Sequence, residues 1–483
     1  MNEVLLWIGG ESRSAADGAT VLRHTPVGGA AVTRAAAARK ADAEAAVDAA
    51  AAALPAWSQM GPAERRALLW RGAEALVAKK DEFVRLMMEE IGATAAWAGF
   101  NVHFAASVLQ EAAAMTTQIT GQVIPSNVPE NLAMCIRQPR GVCVGIAPWN
   151  APIILGVRAL AMPLACGNTV VFKASEACPA VHRLIATALA EAGLPAGVLN
   201  VLTNATQDAG EVVAALIDHP QVRHINFTGS TRVGRIVAER AARHLKPVLL
   251  ELGGKAPLLV LQDADLDAAV DAAIFGGYMN QGQICMSTER ILVDARVADA
   301  LVTRLAARAA RLTVQDPAAG PAVLGALVDP SSAERVAALL HDAVSKGAVI
   351  AAGGPGDGAL MPATVVDHVT PAMRLYGEES FGPVLSVIRV ADDEEAIRVA
   401  NDTEYGLSAA VFSQDLARAW KVAQCLESGI CHINAPTVHD EPQMPFGGVK
   451  ASGYGRFGGT AAVDEFTVQR WITLQTGARH YPF

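Results

Sequence analysis

Short apolar strands alternate with longer helical segments from Arg140 onward, and this alternation restricts the possible folds more than any other feature. The predicted strands are Gly141–Ala147, Thr169–Phe172, Val198–Leu202 and His224–Phe227, and the predicted helices are Ala151–Ala165, Pro179–Ala192, Asp208–Asp218 and Thr231–His244. Strands that are apolar along their length and separated by helices are typical of a parallel sheet covered on both faces. The sequence therefore predicts a doubly wound α/β fold, whose ligands bind at the carboxyl ends of the strands.

A second series of the same kind begins at Pro257 and predicts a second α/β domain. Its predicted strands are Leu258–Leu261, Arg290–Val293, Val384–Val390, Ser408–Phe412 and Gly429–Ile433, and its predicted helices are Leu266–Asn280, Val297–Leu312, Ser332–Lys346, Glu394–Asn401 and Ala417–Glu427. Helical apolar spacing over Asp42–Leu54 and Pro62–Glu90 predicts that the first hundred residues are helical. The tail Asp464–Gln475 has the composition of a strand, which needs a sheet to join, in this chain or in a neighbouring subunit.

Composition and charge exclude several classes of protein. With 52% hydrophobic and 18% charged residues, the 483-residue chain is too apolar to be disordered and long enough for two or three domains. Its net charge of −9, without a local basic patch, argues against a nucleic-acid partner. The longest apolar stretch, Ala151–Gly167, is interrupted by Arg158 and two prolines, so we expect no membrane span. We expect a cytoplasmic protein, because the cysteines are scattered without a CxxC pair and Met1–Gly10 does not have the pattern of a signal peptide. We expect no metal site, because the histidines lack metal-binding spacing.

The turn after His224–Phe227 has the composition of a phosphate site. The sequence Thr228-Gly229-Ser230-Thr231 leads into a helix, and Gly234 lies in its first turn. Free N–H groups and the positive dipole end of a helix suit a pyrophosphate. Ser230 or Thr231 acting only as a helix cap explains the pattern equally well.

The turn after Thr169–Phe172 brings Lys173 and Glu176 to the same edge of the predicted sheet. A carboxylate there accepts hydrogen bonds from ribose hydroxyls and repels a 2′-phosphate, which favours NAD over NADP. The alternative is that Ser175 caps a helix and Glu176 only complements its dipole.

A formal GxGxxG match, Gly453-Tyr-Gly455-Arg-Phe-Gly458, does not have the context of a dinucleotide fingerprint. No buried strand precedes it, and no helix is predicted after Gly458. We expect a tight structural loop.

Three polar side chains follow or interrupt apolar segments in a way that suggests catalysis. Glu251 follows the strand-like run ending at Leu250 and precedes two glycines, so burial would raise its pKa toward that of a general base, unless it simply pairs with Lys255. Cys285 follows a helix that breaks at Gly282, and a loop thiol near open N–H groups suits nucleophilic attack. Most cysteines are only small buried residues, as we expect for the other six. Asn150 ends a strand, where its amide either stabilises an oxyanion or caps the next helix.

Together these segments resemble the aldehyde dehydrogenase superfamily over essentially the whole chain. Seven motifs occur in family order, with Cys285 34 positions after Glu251: APWN (147–150), KASE (173–176), FTGSTRVG (227–234), ELGGKAP (251–257), NQGQIC (280–285), EESFGP (378–383) and PFGGVKASGYGR (445–456). The bacterial members that act on vanillin, salicylaldehyde or benzaldehyde are most similar, through CMSTER (285–290), GICHINAPTVHDEPQMPFGG (429–448), GRFGG (455–459) and RWITLQTGARHYPF (470–483). Ala174 stands where many members have proline, and GRFGG replaces the common GREL, so an acidic residue is absent there.

The resemblance implies a mechanism. Cys285 would attack the aldehyde carbon, and the Asn150 amide with the Cys285 backbone N–H would stabilise the oxyanion of the thiohemiacetal. A hydride would pass to NAD, leaving a thioester, and Glu251 would activate the water that releases the carboxylic acid.

The resemblance also implies binding residues and domain boundaries. The cofactor residues would be Ile146, Ala147, Pro148, Trp149, Lys173, Glu176, Gly229, Ser230, Gly234, Leu252, Glu379 and Phe381. An aromatic aldehyde would enter a funnel lined by Trp97, Phe100, Arg158, Ile284, Met286, Phe446 and Tyr454. The NAD-binding domain would comprise residues 1–120 and 141–250, the catalytic domain residues 251–440, a β oligomerisation element residues 121–140 and 462–483, and a Gly-rich loop on the active-site side residues 441–461. A homodimer or tetramer is expected.

Three other functions are compatible with the same scaffold. One is an acylating dehydrogenase, which transfers the acyl group of the thioester to coenzyme A. Such enzymes lack a hydrolytic base, so the presence of Glu251 argues against this function. A dehydrogenase of an aliphatic aldehyde or semialdehyde stays open. A non-catalytic structural protein is disfavoured because Cys285, Glu251 and Asn150 are all present.

Overall fold

Residues 1–140 contain both strands and helices in the computed structural model, which describes all 483 residues. In chain order they are β1 (Asn2–Val4), β2 (Leu6–Ile8), β3 (Glu11–Arg13), β4 (Thr20–His24), β5 (Ala31–Ala36), α1 (Lys40–Gln59), α2 (Pro62–Ala78), α3 (Lys80–Ile91), α4 (Ala95–Met115), β6 (Gln122–Ile124) and β7 (Asn131–Pro139). The prediction of an entirely helical first hundred residues is wrong for residues 2–36, because Leu6 and Ile8 are buried at the two-residue spacing of a strand. The predicted helix Pro62–Glu90 is two helices, since the chain leaves helical geometry at Lys79 (φ −96°, ψ 15°).

Residues 141–255 follow the predicted alternation, and each predicted strand and helix is present. They form β8 (Val142–Ile146), α5 (Pro152–Ala165), β9 (Thr169–Lys173), α6 (Pro179–Glu191), β10 (Leu199–Leu202), α7 (Ala209–Asp218), β11 (Val222–Thr228), α8 (Thr231–Arg243) and β12 (Val248–Glu251). Pro152 and Pro179 begin α5 and α6 at the position where a missing N–H costs nothing.

Residues 256–483 form a second alternating series followed by a terminal strand. The elements are β13 (Ala256–Val260), α9 (Leu266–Tyr278), β14 (Thr288–Asp294), α10 (Ala298–Ala309), α11 (Pro330–Ser345), β15 (Val349–Ala352), β16 (Thr364–Asp367), α12 (Arg374–Gly377), β17 (Val384–Val390), α13 (Asp393–Asn401), β18 (Ser408–Phe412), α14 (Leu416–Gln424), β19 (Ile430–Ile433), β20 (Gly453–Tyr454), α15 (Gly459–Phe466) and β21 (Thr467–Gln475). The expectation that no helix follows Gly458 is wrong, because Gly458, at φ 85°, is the residue from which α15 starts. The terminal strand therefore begins only at Thr467.

Two large sheets form the centre of the molecule, which confirms the α/β class. The first has the strand order β20-β12-β11-β8-β9-β10-β2-β3, with β12 to β10 parallel. The second has the order β15-β16-β17-β14-β13-β18-β19, parallel except for β15. Apolar clusters lie on both faces of each sheet, as expected for parallel strands covered by helices.

The first sheet reverses its winding between β8 and β11. The chain proceeds outward from β8 through β9 to β10, then returns to place β11 on the other side of β8, with Phe227 beside Ile146. Ligands of doubly wound sheets bind outside the strand ends at this reversal. The turns after Ile146 and Thr228 are therefore where a ligand is expected.

A smaller sheet is built from β21, β7 and β6, with β21 antiparallel to β7 over Thr467–Gln475. It contains strands from both segments of the predicted oligomerisation element. That role and the domain boundaries stay predictions. No helix of the structure is both long enough and apolar enough to cross a bilayer.

Candidate active site

Two cavities share a wall that contains Cys285 and Asn150. The first, here called the helix-end cavity, has a volume of about 280 Å³ and is lined by Pro148, Trp149, Asn150, Leu155, Thr228, Gly229, Ser230, Leu252, Gly253, Cys285, Arg335, Glu379 and Phe381. The second, here called the aromatic cavity, has a volume of about 350 Å³ and is lined by Trp97, Phe100, Phe104, Asn150, Ala151, Ile154, Leu155, Arg158, Phe275, Met279, Ile284, Cys285, Met286, Pro436, Val438, His439, Asp440 and Phe446. One thiol is thus reachable from two sides.

The loop before Cys285 is held in an unusual backbone conformation. Asn280, Gln281 and Gly282 have φ of 49°, 57° and 71°, all in the left-handed region. Glycine is required at position 282, because a Cβ there would lie 2.1 Å from the carbonyl oxygen of Gly382. The Gln283 side chain accepts a hydrogen bond from Val328 N at 3.0 Å and donates to Asn280 O at 3.2 Å. These contacts fix the position of the cysteine that follows.

Asn150 is bound to this loop and not to the helix after it. Its Nδ2 donates to Gln283 O at 2.9 Å, and α5 has no side-chain cap, so the capping alternative is wrong. The backbone carbonyl oxygen of Asn150 accepts hydrogen bonds from Trp97 Nε1 at 3.0 Å and from Asn280 Nδ2 at 2.9 Å. An amide has two N–H donors, so one is left for an oxygen beside Cys285. The backbone N–H of Cys285 makes no hydrogen bond within the protein either.

Glu251 ends β12 and is 2% exposed, with no hydrogen-bond partner on either carboxyl oxygen. Burial raises its pKa well above the usual range, against the opposing charges of Arg158 and Arg456. Pairing with Lys255 is excluded, because Lys255 Nζ contacts Glu289 Oε2 at 2.7 Å. The carboxyl group itself lines neither cavity, although Leu252 and Gly253 line the helix-end cavity.

The glycines after Glu251 bring its loop against the Cys285 segment. A Cβ on Gly254 would lie 2.4 Å from the Cys285 carbonyl oxygen. Burial raises the pKa of the Cys285 thiol, and the negative charges of Glu251 and Glu379 raise it further. The thiol is therefore protonated at rest near neutral pH, and its ionisation needs a proton acceptor.

One face of α4 contributes a row of three aromatic side chains to the wall of the aromatic cavity. The Trp97 and Phe100 rings stack with centroids 5.5 Å apart, and Phe104 continues the row at 5.6 Å from Phe100. Opposite them, the Arg158 guanidinium lies 4.6 Å from the Phe446 ring centroid and forms an ion pair with Asp440. A flat apolar ligand fits such a wall better than a charged one.

At the end of β11, glycines allow the close packing that a bound phosphate needs. A Cβ on Gly229 would lie 2.5 Å from the Phe227 ring, and one on Gly234 would lie 2.5 Å from Leu252. Ser230 is the N-cap of α8, accepting from Val233 N, and it also lines the helix-end cavity. Capping and ligand binding are therefore compatible here.

At the end of β9, Glu176 forms an ion pair with Lys173 and accepts from Asn204 Nδ2 at 2.9 Å. Burial alone would raise the pKa of Glu176, but Lys173 and the hydrogen bonds lower it overall, so the group is ionised. The next helix, α6, starts only at Pro179, with Cys178 as its N-cap. Glu176 and Ser175 thus do not serve as the first turn and cap of that helix.

A profile of the Aldehyde dehydrogenase family matches residues 13–472. The chain belongs to the aldehyde dehydrogenase family. It is 60% identical to vanillin dehydrogenase of Pseudomonas fluorescens over 482 residues, covering 100% of both chains, and 50% identical to salicylaldehyde dehydrogenase of Pseudomonas putida over 468 residues, covering 97% of both. The crystal structure of a salicylaldehyde dehydrogenase from Pseudomonas putida G7 complexed with salicylaldehyde has a TM-score of 0.98 and 49% identity over 100% of both chains.

Aldehyde dehydrogenases use NAD(P), and the residues at the sheet reversal fit such a dinucleotide. The structure of PnpE in complex with nicotinamide adenine dinucleotide is similar, with a TM-score of 0.95 and 36% identity over 100% of this chain and 99% of that one. In this chain, the helix-end cavity opens at the start of α8, where the dipole suits a pyrophosphate. The ionised Glu176 lies in the turn after β9, and β8 separates β9 from β11 in the same sheet.

The structure brings together most of the predicted site residues in the two cavities. In the helix-end cavity lie Pro148, Trp149, Gly229, Ser230, Leu252, Glu379 and Phe381, while Ile146 and Ala147 directly precede it. Lys173, Glu176 and Gly234 lie outside that lining. In the aromatic cavity lie Trp97, Phe100, Arg158, Ile284, Met286 and Phe446. Tyr454 is absent from that lining; it pairs with Leu250 at the sheet edge and is half-exposed.

Several lining residues were not predicted. Phe104 carried a usable signal, since it continues the helical spacing of Trp97 and Phe100. Arg335 carried none: it reaches from α11 to donate to the carbonyl oxygens of Glu379 and Ser380, at 3.1 and 2.7 Å. Asp440 lies in a loop, where only the fold shows its pairing with Arg158.

Proposed function

We propose that this enzyme oxidises an aromatic aldehyde to the carboxylic acid, with NAD as the hydride acceptor. The observation that carries the proposal is the aromatic cavity, in which 13 of 18 lining residues are hydrophobic and which shares Cys285 with the helix-end cavity. The similarity to vanillin and salicylaldehyde dehydrogenases supports the same substrate class.

Cys285 is the proposed nucleophile. Its S–H proton passes to Glu251, directly or through water, as the sulfur bonds to the aldehyde carbon. The negative oxygen of the thiohemiacetal then accepts hydrogen bonds from the free N–H of Asn150 and the Cys285 backbone N–H. Losing one such donor costs about 2.7–4 kcal/mol of transition-state stabilisation. NAD, when bound, accepts the hydride.

Glu251 is the proposed base for release of the acid. Its raised pKa makes the ionised carboxylate a strong proton acceptor. Because neither oxygen has a hydrogen-bond partner, the side chain breaks no hydrogen bond when it accepts the proton. From its buried position, rotation about the side-chain bonds is needed to reach a water at the thioester carbon.

Glu176 is the proposed basis of a preference for NAD over NADP. An ionised carboxylate beside Lys173 accepts ribose hydroxyls and repels a 2′-phosphate. Glu176→Gln is expected to raise kcat/KM with NADP relative to NAD, while an unchanged ratio argues against this role.

The test is NADH formation with vanillin, salicylaldehyde, benzaldehyde and a linear semialdehyde, each with NAD and with NADP. We expect the aromatic substrates to have the higher kcat/KM, because the one cation in the cavity wall, Arg158, is already neutralised by Asp440. Cys285→Ala is expected to abolish turnover while retaining NADH binding. A preference for the semialdehyde, or turnover by Cys285→Ala, contradicts the proposal.

We also propose that the enzyme is a homodimer or tetramer, assembled through the small sheet. Val123 and Trp471 are 70% and 77% exposed on its strands, which is unusual for such apolar residues on a free surface. Sedimentation of the full chain and of Trp471→Glu is the test, and an unchanged mass for the variant contradicts this interface.

A further inference from the structure

His182 is a buried histidine with no part in the mechanism above. It lies in the first turn of α6 with 0% exposure, and its ring meets the Phe172 ring edge-on at 5.0 Å. Burial lowers its pKa to about 3, so the ring is neutral at any working pH. A neutral imidazole has one donor and one acceptor nitrogen.

The ring joins the two turns that carry the proposed dinucleotide site. Ser175 N donates to His182 Nδ1 at 3.0 Å, and His182 Nε2 lies 3.1 Å from Pro152 O. Because a backbone N–H only donates, Nδ1 must be the acceptor, which leaves the proton on Nε2 to donate to Pro152. The tautomer is thereby determined by the contacts.

The two contacted segments serve different parts of the site. Ser175 lies between Lys173 and Glu176, whereas Pro152 begins α5, directly after the loop with Trp149 and Asn150. These turns leave the neighbouring strands β8 and β9, where Ile146 pairs with Lys173. No other side chain has hydrogen bonds to both turns.

We propose that His182 is a positioning residue that holds the ribose-binding turn and the Asn150 loop in register through its two ring nitrogens. This rests on the proposed function, since it assumes that Glu176 contacts the cofactor and that Asn150 acts beside Cys285. His182 lines neither cavity, and it acts through the backbone of Ser175 and Pro152, with the Cys178 sulfur 3.8 Å from Nε2.

Two variants separate the two hydrogen bonds. His182→Asn places an amide oxygen near the position of Nδ1, and His182→Gln places an amide nitrogen near that of Nε2. For His182→Gln, which leaves the buried Ser175 N–H unpaired, the Kd of NADH measured by fluorescence should rise about tenfold while kcat at saturating NAD stays within about twofold. His182→Asn keeps an acceptor for Ser175 N but loses the donor to Pro152 O. The NADH Kd should therefore stay unchanged, while kcat falls about three- to tenfold.

His224 provides the matched control. It is also fully buried and meets the Phe466 ring at 5.0 Å, with the same interplanar angle of 65°. Its ring nitrogens make no hydrogen bond, and Nε2 lies 3.9 Å from Glu465 Oε2. His224→Leu should lower Tm without changing either the NADH Kd or kcat. Wild-type Kd and kcat in both His182 variants, or the same shifts in His224→Leu, would overturn the proposal. NADH binding needs no aldehyde, so this outcome is distinguishable from failure of the aldehyde panel.

Discussion

The Glu289 carboxylate holds the turn that carries Glu379 and Phe381, so Glu289→Gln is expected to weaken both the fold and cofactor binding. Oε1 accepts from Ser380 N, Ser380 Oγ and Phe381 N at 2.9, 2.9 and 3.0 Å, while Oε2 contacts Lys255 Nζ at 2.7 Å. The side chains of Lys255 and Glu289 are 0% and 4% exposed. Removing one partner of such a pair leaves a buried charge, at a cost of about 3–5 kcal/mol.

The double variant Lys255→Met/Glu289→Gln separates the charge effect from the loss of contacts. Since it leaves no unpaired charge, it should be more stable than Glu289→Gln alone. Thermal unfolding and KM for NAD are measured on all variants. Asp267→Asn is the control, because Asp267 pairs with Arg304 at the surface, where a pair contributes at most about 1 kcal/mol. A Glu289→Gln variant as stable as this control refutes the reasoning. So does a double variant whose loss of stability equals the sum of the losses in Lys255→Met and Glu289→Gln.

Three further predictions follow from single side chains. Trp97→Phe keeps the ring stack but removes the hydrogen bond to Asn150 O, so kcat/KM for vanillin should fall about fivefold, and an unchanged value contradicts this role. Burial raises the pKa of Glu90 from 4.5 to about 7, so between these values the folded state binds a proton that the unfolded chain has lost. Stability should therefore fall as pH rises from about 4.5 to about 7, and a Tm–pH profile that does not flatten in Glu90→Gln counts against it. Burial and the Glu251 charge raise the pKa of Cys285, so the rate of alkylation of that thiol by iodoacetamide should increase only well above pH 8. In Glu251→Gln the increase should occur at lower pH, and a shift to higher pH refutes the coupling.

The sequence predicted the elements in which local pattern and tertiary position agree. The apolar strand Val142–Ile146 and the helix starting at Pro152 are examples, because each is specified by its own residues. The small strands before residue 36 were not predicted, since β2 exists only by pairing with β10 and β3. Likewise, α15 was missed because it begins at a pair of glycines: Gly458 is its N-cap and Gly459 its first residue, both with positive φ.

The site residues could be predicted where a reactive side chain directly follows a predicted strand or helix. Asn150, Glu251 and Cys285 could be named because each follows an apolar element that positions it. Glu289, Arg335 and His182 could not, because their contacts join segments 91, 44 and 30 residues apart in the chain. Tyr454 does not line the aromatic cavity although Phe446 does, because closeness in sequence does not ensure that two residues share a cavity.

The most direct test of covalent catalysis at Cys285 is mass spectrometry of Glu251→Gln quenched during turnover with vanillin and NAD. Without its base, the variant should accumulate the thioester, and the peptide containing Cys285 should gain the mass of the acyl group. The other six cysteines of the chain serve as internal controls. An acyl group on any of them, or turnover without an adduct at Cys285, would contradict the account.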